Sequence, residues 1–166
     1  KGTGTLRATK AGTSWAYLGA GIQCTSSSYG HRPLLAINRC HVIAETLDAT
    51  SSEGILCSGS LVVNGGWLEA RAQRAYAIEI SNNSSMTLKE GKVTATSEMP
   101  ERTHGGICCR GSLAVSGGSL VSTSQSSNGI YVDAGAEVTI SGGTVTVNNN
   151  DGYQNYYIYG IHCKGS

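Results

Sequence analysis

Glu79, Arg110, Tyr131, Asp133, His162 and Lys164 are the residues of this chain whose types suit binding or catalysis, and they lie 31, 21, 2, 29 and 2 residues apart. No local motif has that spacing. Gathered on one face, Arg110 and Lys164 would bind the carboxylates of an acidic sugar chain, Asp133 would hold Ca²⁺, and Glu79 or His162 would move protons. On an open surface Arg110, Asp133 and Lys164 would be a charge ladder, each pair worth about 0.2–1 kcal/mol. A polysaccharide lyase or hydrolase on this face would need several convergent carboxylates, and Asp133 stands nearly alone. The residues therefore favour a site that binds without catalysis, with no cofactor unless calcium.

Aromatic rings form the other candidate set. Trp15 and Tyr17 fall in one polar stretch, Tyr153, Tyr156 and Tyr157 in another, and Trp67 stands apart after a glycine pair. Flat rings on an exposed edge grip sugar faces by apolar stacking with a polar rim; rings in the same places could instead cover the flank of a core. Asn148–Gly152 is rich in oxygen, which makes Asn150 and Asp151 weak calcium candidates, although turns use Asn, Asp and Gly for backbone reasons. The four histidines lack ligand spacing for zinc. The glycines match neither a nucleophile elbow nor a phosphate loop.

What could gather residues 31 and 29 apart is a repeat. Gly106–Leu120 reads GICCRGSLAVSGGSL: apolar residues alternate in short pairs, separated by a Gly-Ser corner and a Gly-Gly corner. Period-two alternation marks a strand with one buried face, and glycine supplies the backbone freedom of sharp corners. The unit recurs from residues 21, 54, 77, 106, 129 and 160, at intervals of 33, 23, 29, 23 and 31. A fixed core with variable loops at this period predicts a solenoid, since one unit cannot bury its own apolar face. The expected fold is all-β, a right-handed parallel β-helix with three short strands per coil and about six coils, its ends uncapped. No helix is expected. Within this fold the six candidates fall in two neighbouring outward columns of the first strand: Gln23, Leu56, Glu79, Cys108, Tyr131 and His162, then Thr25, Ser58, Ser81, Arg110, Asp133 and Lys164.

The chain has 166 residues, a formal net charge of +1, 14% charged residues, 23 glycines and no Phe. One domain over residues 1–166 fits that length, and the charge gives no nucleic-acid footprint. No apolar run approaches the ~18 residues of a membrane span. The six cysteines do not read as a disulfide framework. Cys24, Cys57, Cys109 and Cys163 alternate with Ile80 and Val132 in one inward column, where Cys acts as a small apolar filler. Cys108 is expected to point outward, and Cys40 to sit at a corner. Both termini fall in mid-coil, so the chain is expected to be a piece of a longer protein or to stack end to end with another copy.

The phrase GIYVDAGAEVTISGGTVTV, with its echoes SGGSLVST and NGGWLEAR, resembles repeats in secreted and cell-wall proteins of Gram-positive anaerobes. It looks most like the clostridial β-helix carbohydrate-binding family, related in fold to pectate lyases. That resemblance implies extracellular or cell-surface display, a plant or host polysaccharide as ligand, and sometimes bound calcium. The expected function is a non-catalytic glycan-binding module or surface adhesin. A structural rod or filament segment is the first alternative, and a polysaccharide lyase or hydrolase the second.

Overall fold

Alternation written into short segments only makes strands if something pairs with them, and here each segment pairs with its own copy one repeat away. The computed structural model describes residues 4–11, 19–25, 32–47, 52–98, 105–150 and 158–165. Its strands are β1 (Thr5–Lys10), β2 (Ile22–Cys24), β3 (Leu34–Thr46), β4 (Ile55–Cys57), β5 (Ser60–Ala72), β6 (Ile78–Ile80) and β7 (Ser85–Ser97). They continue with β8 (Ile107–Cys109), β9 (Ser112–Val115), β10 (Ser119–Ser124), β11 (Ile130–Val132), β12 (Glu137–Ile140), β13 (Thr144–Asn149) and β14 (Ile161–Cys163). All ladders are parallel. The fold is a parallel β-solenoid of about four turns, with no helix among the described residues.

Two sheets wrap the core. One is six-stranded, in the order β14-β11-β8-β6-β4-β2; the other is eight-stranded along β1-β3-β5-β7-β10-β13, with β9 and β12 continuing from β7. The inward columns have the expected register. Ile22, Ile55, Ile78, Ile107, Ile130 and Ile161 stack in line, as do Cys24, Cys57, Ile80, Cys109, Val132 and Cys163. Leu61, Met86, Leu113 and Leu68, Val93, Leu120 fill the other wall, all 0–1% exposed. Inward columns become exposed in the outermost described rungs, at Leu6 (55%), Ile161 (44%) and, beyond Val63, Leu88 and Val115, Ile140 (51%). Each of those rungs has a described neighbour on one side only. All six cysteines are free thiols, and Cys24, Cys57 and Cys109 are buried, as fillers of an apolar column should be.

The second corner is where the glycines are indispensable. Gly66, Gly91, Gly118 and Gly143 lie one above another, each in the left-handed region with φ of 80°, 86°, 73° and 77°. Each approaches the backbone below so closely that a Cβ would lie 2.3–2.6 Å from a carbonyl oxygen of that rung. In the rung beneath Gly66 the left-handed residue is Arg39 (φ 86°), and Cys40 precedes His41 in place of a glycine. In β3, β5 and β7 the chain passes this corner as one bulged 13-residue strand, whereas it breaks between β9 and β10 and between β12 and β13.

Candidate functional site

The first-strand face inherits its order from the core beneath it. Because Ile78, Ile107, Ile130 and Ile161 are in register, the next residues, Glu79, Cys108, Tyr131 and His162, stand in one outward column. The ladder continues past the strands: Arg110 N donates to Ile80 O, Asp133 N to Cys109 O and Lys164 N to Val132 O. All six candidates of this face are therefore neighbours, and Arg110 is at their centre. Its guanidinium pairs with Glu79 on one side and lies 3.7 Å from Asp133 Oδ2 on the other. Asp133 Oδ1 accepts from Ala134 N at 2.9 Å and from the Tyr131 hydroxyl at 3.5 Å.

This is more than a surface charge ladder. The Glu79 side chain is only 15% exposed and that of Arg110 33%, so both ions have lost much of their water. Burial opposes the charge on Arg110, but the groups of Cys108, Glu79, Tyr76 and Asp133 outweigh it and raise its pKa. Glu53 is half-buried, and burial raises its carboxyl pKa.

Cys108 stands in the outward column, as its position in the first strand requires, yet it is fully buried. It stands between Glu79 and Tyr131, with Arg110 and the Tyr76 hydroxyl close by. Burial pushes its pKa up to about 12, Arg110 opposing. Burial likewise raises that of the Tyr76 phenol. Such a thiol is protonated and poorly nucleophilic at neutral pH.

At the other end of the face three rings converge. His162 meets the edge of Tyr131 at 5.5 Å and 74°, and a tilted Tyr159 at 5.0 Å. Asn128 holds them: its amide nitrogen lies 3.4 Å from His162 Nδ1, and its Oδ1 accepts from Tyr159 N at 3.0 Å. Tyr76, Arg110, Asn128, Tyr131, Asp133, His162 and Lys164, with Ser127, line a cleft of about 390 Å³. Tyr76, Asn128 and Tyr159 were not placed in this site by the sequence reading. The signal was available: each directly precedes the first residue of a repeat, so that Glu53, Tyr76, Asn128 and Tyr159 occupy one further repeat position.

Trp67 is outward, as its corner position requires, but it is not a lone ring. His41, one rung below, stacks on it at 4.4 Å with an interplanar angle of 4°, and Lys92, one rung above, lies 5.0 Å from its centroid. Its two faces are thus already occupied, and a sugar could stack on it only by displacing Lys92. Beside it runs an acid-base row that the sequence reading overlooked. Glu69 pairs with Arg71 at 3.3 Å and approaches His41 at 4.0 Å, and Glu45 binds Arg7 at 3.3 Å and the Thr9 hydroxyl at 2.7 Å. Both glutamates are buried beneath these partners.

Trp15, Tyr17, Tyr153, Tyr156, Tyr157 and Asp151 lie outside the described residues. Asn150 is exposed, and its backbone N–H donates to Ser124 O. Among the described residues no three His, Cys, Asp or Glu side chains are grouped as metal ligands. No family model, curated protein or solved structure matches this chain.

Proposed function

We propose that this chain is a non-catalytic glycan-binding module of an extracellular or cell-surface protein. The observation that carries the reading is the first-strand cleft: the rings of Tyr131, His162 and Tyr159 stand beside Arg110, Asp133 and Asn128, each held by a partner, and beside the exposed Lys164. Apolar ring surface with a few oriented polar groups is what a sugar needs, since its C–H faces stack and its hydroxyls seek planar hydrogen-bonding partners. Rigidity supports it too, because a site on packed rungs loses little entropy on binding. A binding role is favoured over lyase or hydrolase chemistry because Glu79 and Asp133 both engage one guanidinium. A general acid or base must instead be free to exchange its proton with substrate. Calcium at Asp133 would compete with Arg110 for the same carboxylate.

In this reading the fold is a right-handed helix of three short strands per coil and about six coils, and its stacked rungs act as a rigid scaffold. Binding is tested by a glycan array followed by calorimetry on any hit, with Tyr131→Ala and His162→Ala as variants. Loss of binding in both variants, with unchanged circular dichroism, is expected; a hit that neither variant weakens overturns this cleft as the site. A second reading, a rod segment whose outermost rungs accept further rungs, rests on exposed Leu6, Ile140 and Ile161. Light scattering over a concentration series tests it, and a constant monomer mass would remove self-stacking.

A further inference from the structure

The first corner of the solenoid alternates in length, and this alternation carves a second depression. In the repeat starting at residue 77 the corner is the turn Ser81–Ser84, closed by Ser84 N donating to Ser81 O, with Asn83 left-handed at φ 59°. The repeat starting at 129 has the matching turn Asp133–Ala136, closed by Ala136 N to Asp133 O, with Gly135 at φ 79°. Between them the repeat starting at 106 has only Arg110-Gly111 before its strand resumes at Ser112, two residues fewer. The two longer turns stand two rungs apart, about 9.6 Å at the usual ~4.8 Å per rung. Allowing van der Waals contact on both sides leaves about 6 Å of clear width, room for one extended polymer chain. The resulting notch measures about 560 Å³; Asn82, Asn83, Ala134 and Gly135 form its walls, and Gly111 and Ser112 its floor. Arg110 lines both this notch and the aromatic cleft.

The chemistry of the notch restricts its occupant. The ladder between rungs runs through its floor: Arg110 N donates to Ile80 O, Ser112 N to Ser84 O and Glu137 N to Gly111 O. A peptide therefore cannot add as a strand there, and the lining offers no apolar pocket for an anchoring side chain. The charged groups lining the notch are Arg32, Arg110 and Glu137; Arg110 is already engaged by Glu79 and Asp133, which lie outside the notch, and the Arg32 guanidinium donates to Asn83 O at 2.6 Å. A polyanion would have to draw both guanidinium groups away from these partners and meet Glu137 as well. What the notch presents instead are the exposed amides of Asn82 and Asn83 and the half-buried hydroxyls of Ser85 and Ser112.

From this we infer that a neutral linear polysaccharide lies in the notch and runs around the solenoid, across Arg110, into the cleft of Tyr131 and His162. The inference rests on the glycan-binding reading and deepens it by naming the ligand class and its path. The test is calorimetric titration of the whole chain with neutral cello-, xylo- and manno-oligosaccharides, with oligogalacturonate as the acidic arm. Three variants accompany it: Ala134→Trp, which obstructs the notch from an exposed position, and Asn82→Ala and Asn83→Gly, which remove amides. Asn83→Gly keeps the left-handed backbone free of strain. The expected result is binding of a neutral oligosaccharide that Ala134→Trp weakens at least tenfold and each amide variant severalfold, with thermal midpoints unchanged. A neutral ligand that Tyr131→Ala abolishes and Ala134→Trp leaves intact would overturn the notch and keep the glycan reading. Preference for the acidic arm would overturn the ligand class. No binding in either arm would overturn both readings.

Discussion

Gly118→Ala and Gly135→Ala form a matched pair that separates backbone strain from the crowding of stacked rungs. Both glycines are left-handed, at φ 73° and 79°. Forcing an alanine into that region costs about 1–2 kcal/mol at either site. Their surroundings differ completely. A Cβ at Gly135 would have nothing within 4 Å, whereas one at Gly118 would lie 2.6 Å from Gly91 O, with Glu90 C at 3.0 Å and Gly91 N at 3.1 Å. All three are backbone atoms of the rung below, so relief requires shifting a rung that is itself laddered. Overpacking of this kind costs about 1–3 kcal/mol. Gly118→Ala is therefore expected to lose roughly 2–5 kcal/mol in total, exceeding Gly135→Ala by roughly 1–3. Urea unfolding followed by far-ultraviolet circular dichroism measures both, with the difference taken from the midpoints at a common slope. Equal losses would refute the argument, because the close approach of successive rungs would then impose no constraint beyond φ.

Ile107, fully buried in the first-strand column, should lose about 2–5 kcal/mol on change to Ala through the cavity it leaves. Arg110→Ala should cost about 1–2 kcal/mol, more than an exposed ion pair, because it strands the mostly buried Glu79 without its partner; denaturant titration of the two variants tests this order. Alkaline pH should destabilise the fold through Cys108: its thiol ionises near 9.0 when unfolded and near 12 when folded. The unfolded state then binds fewer protons across that window, so stability falls as pH rises above about 9. Cys108→Val should flatten the melting temperature's fall between pH 8 and 10.5, and an unchanged slope would remove Cys108 as a contributor. Native thiol titration should modify exposed Cys163 fast and half-buried Cys40 more slowly, while Cys24, Cys57, Cys108 and Cys109 react only in denaturant.

The inward half of this protein could be read from its residues alone. Ile-x-Cys or Ile-x-Ile after a glycine, then a corner, then Leu-x-Val, states which side chains must share a core, because a strand's period of two leaves no other way to bury them together. Repetition of that phrase then fixes the register of every rung, so Asp133, the neighbour of Arg110 along the axis, and Glu79, diagonal to it in the next column, were available in advance. The corner glycines were legible for the same reason, as was the two-residue difference that opens the notch. Outward positions obey no such rule. Nothing in the order of residues says that Tyr76 closes over Cys108, that Lys92 and His41 take both faces of Trp67, or that Arg7 and Arg71 cover Glu45 and Glu69. Those arrangements depend on how far each side chain reaches across about 4.8 Å between rungs and on what the connecting segments lay over the face. Periodicity decided what is inside. What happens on the outside was decided only when successive rungs brought residues from separate repeats into contact.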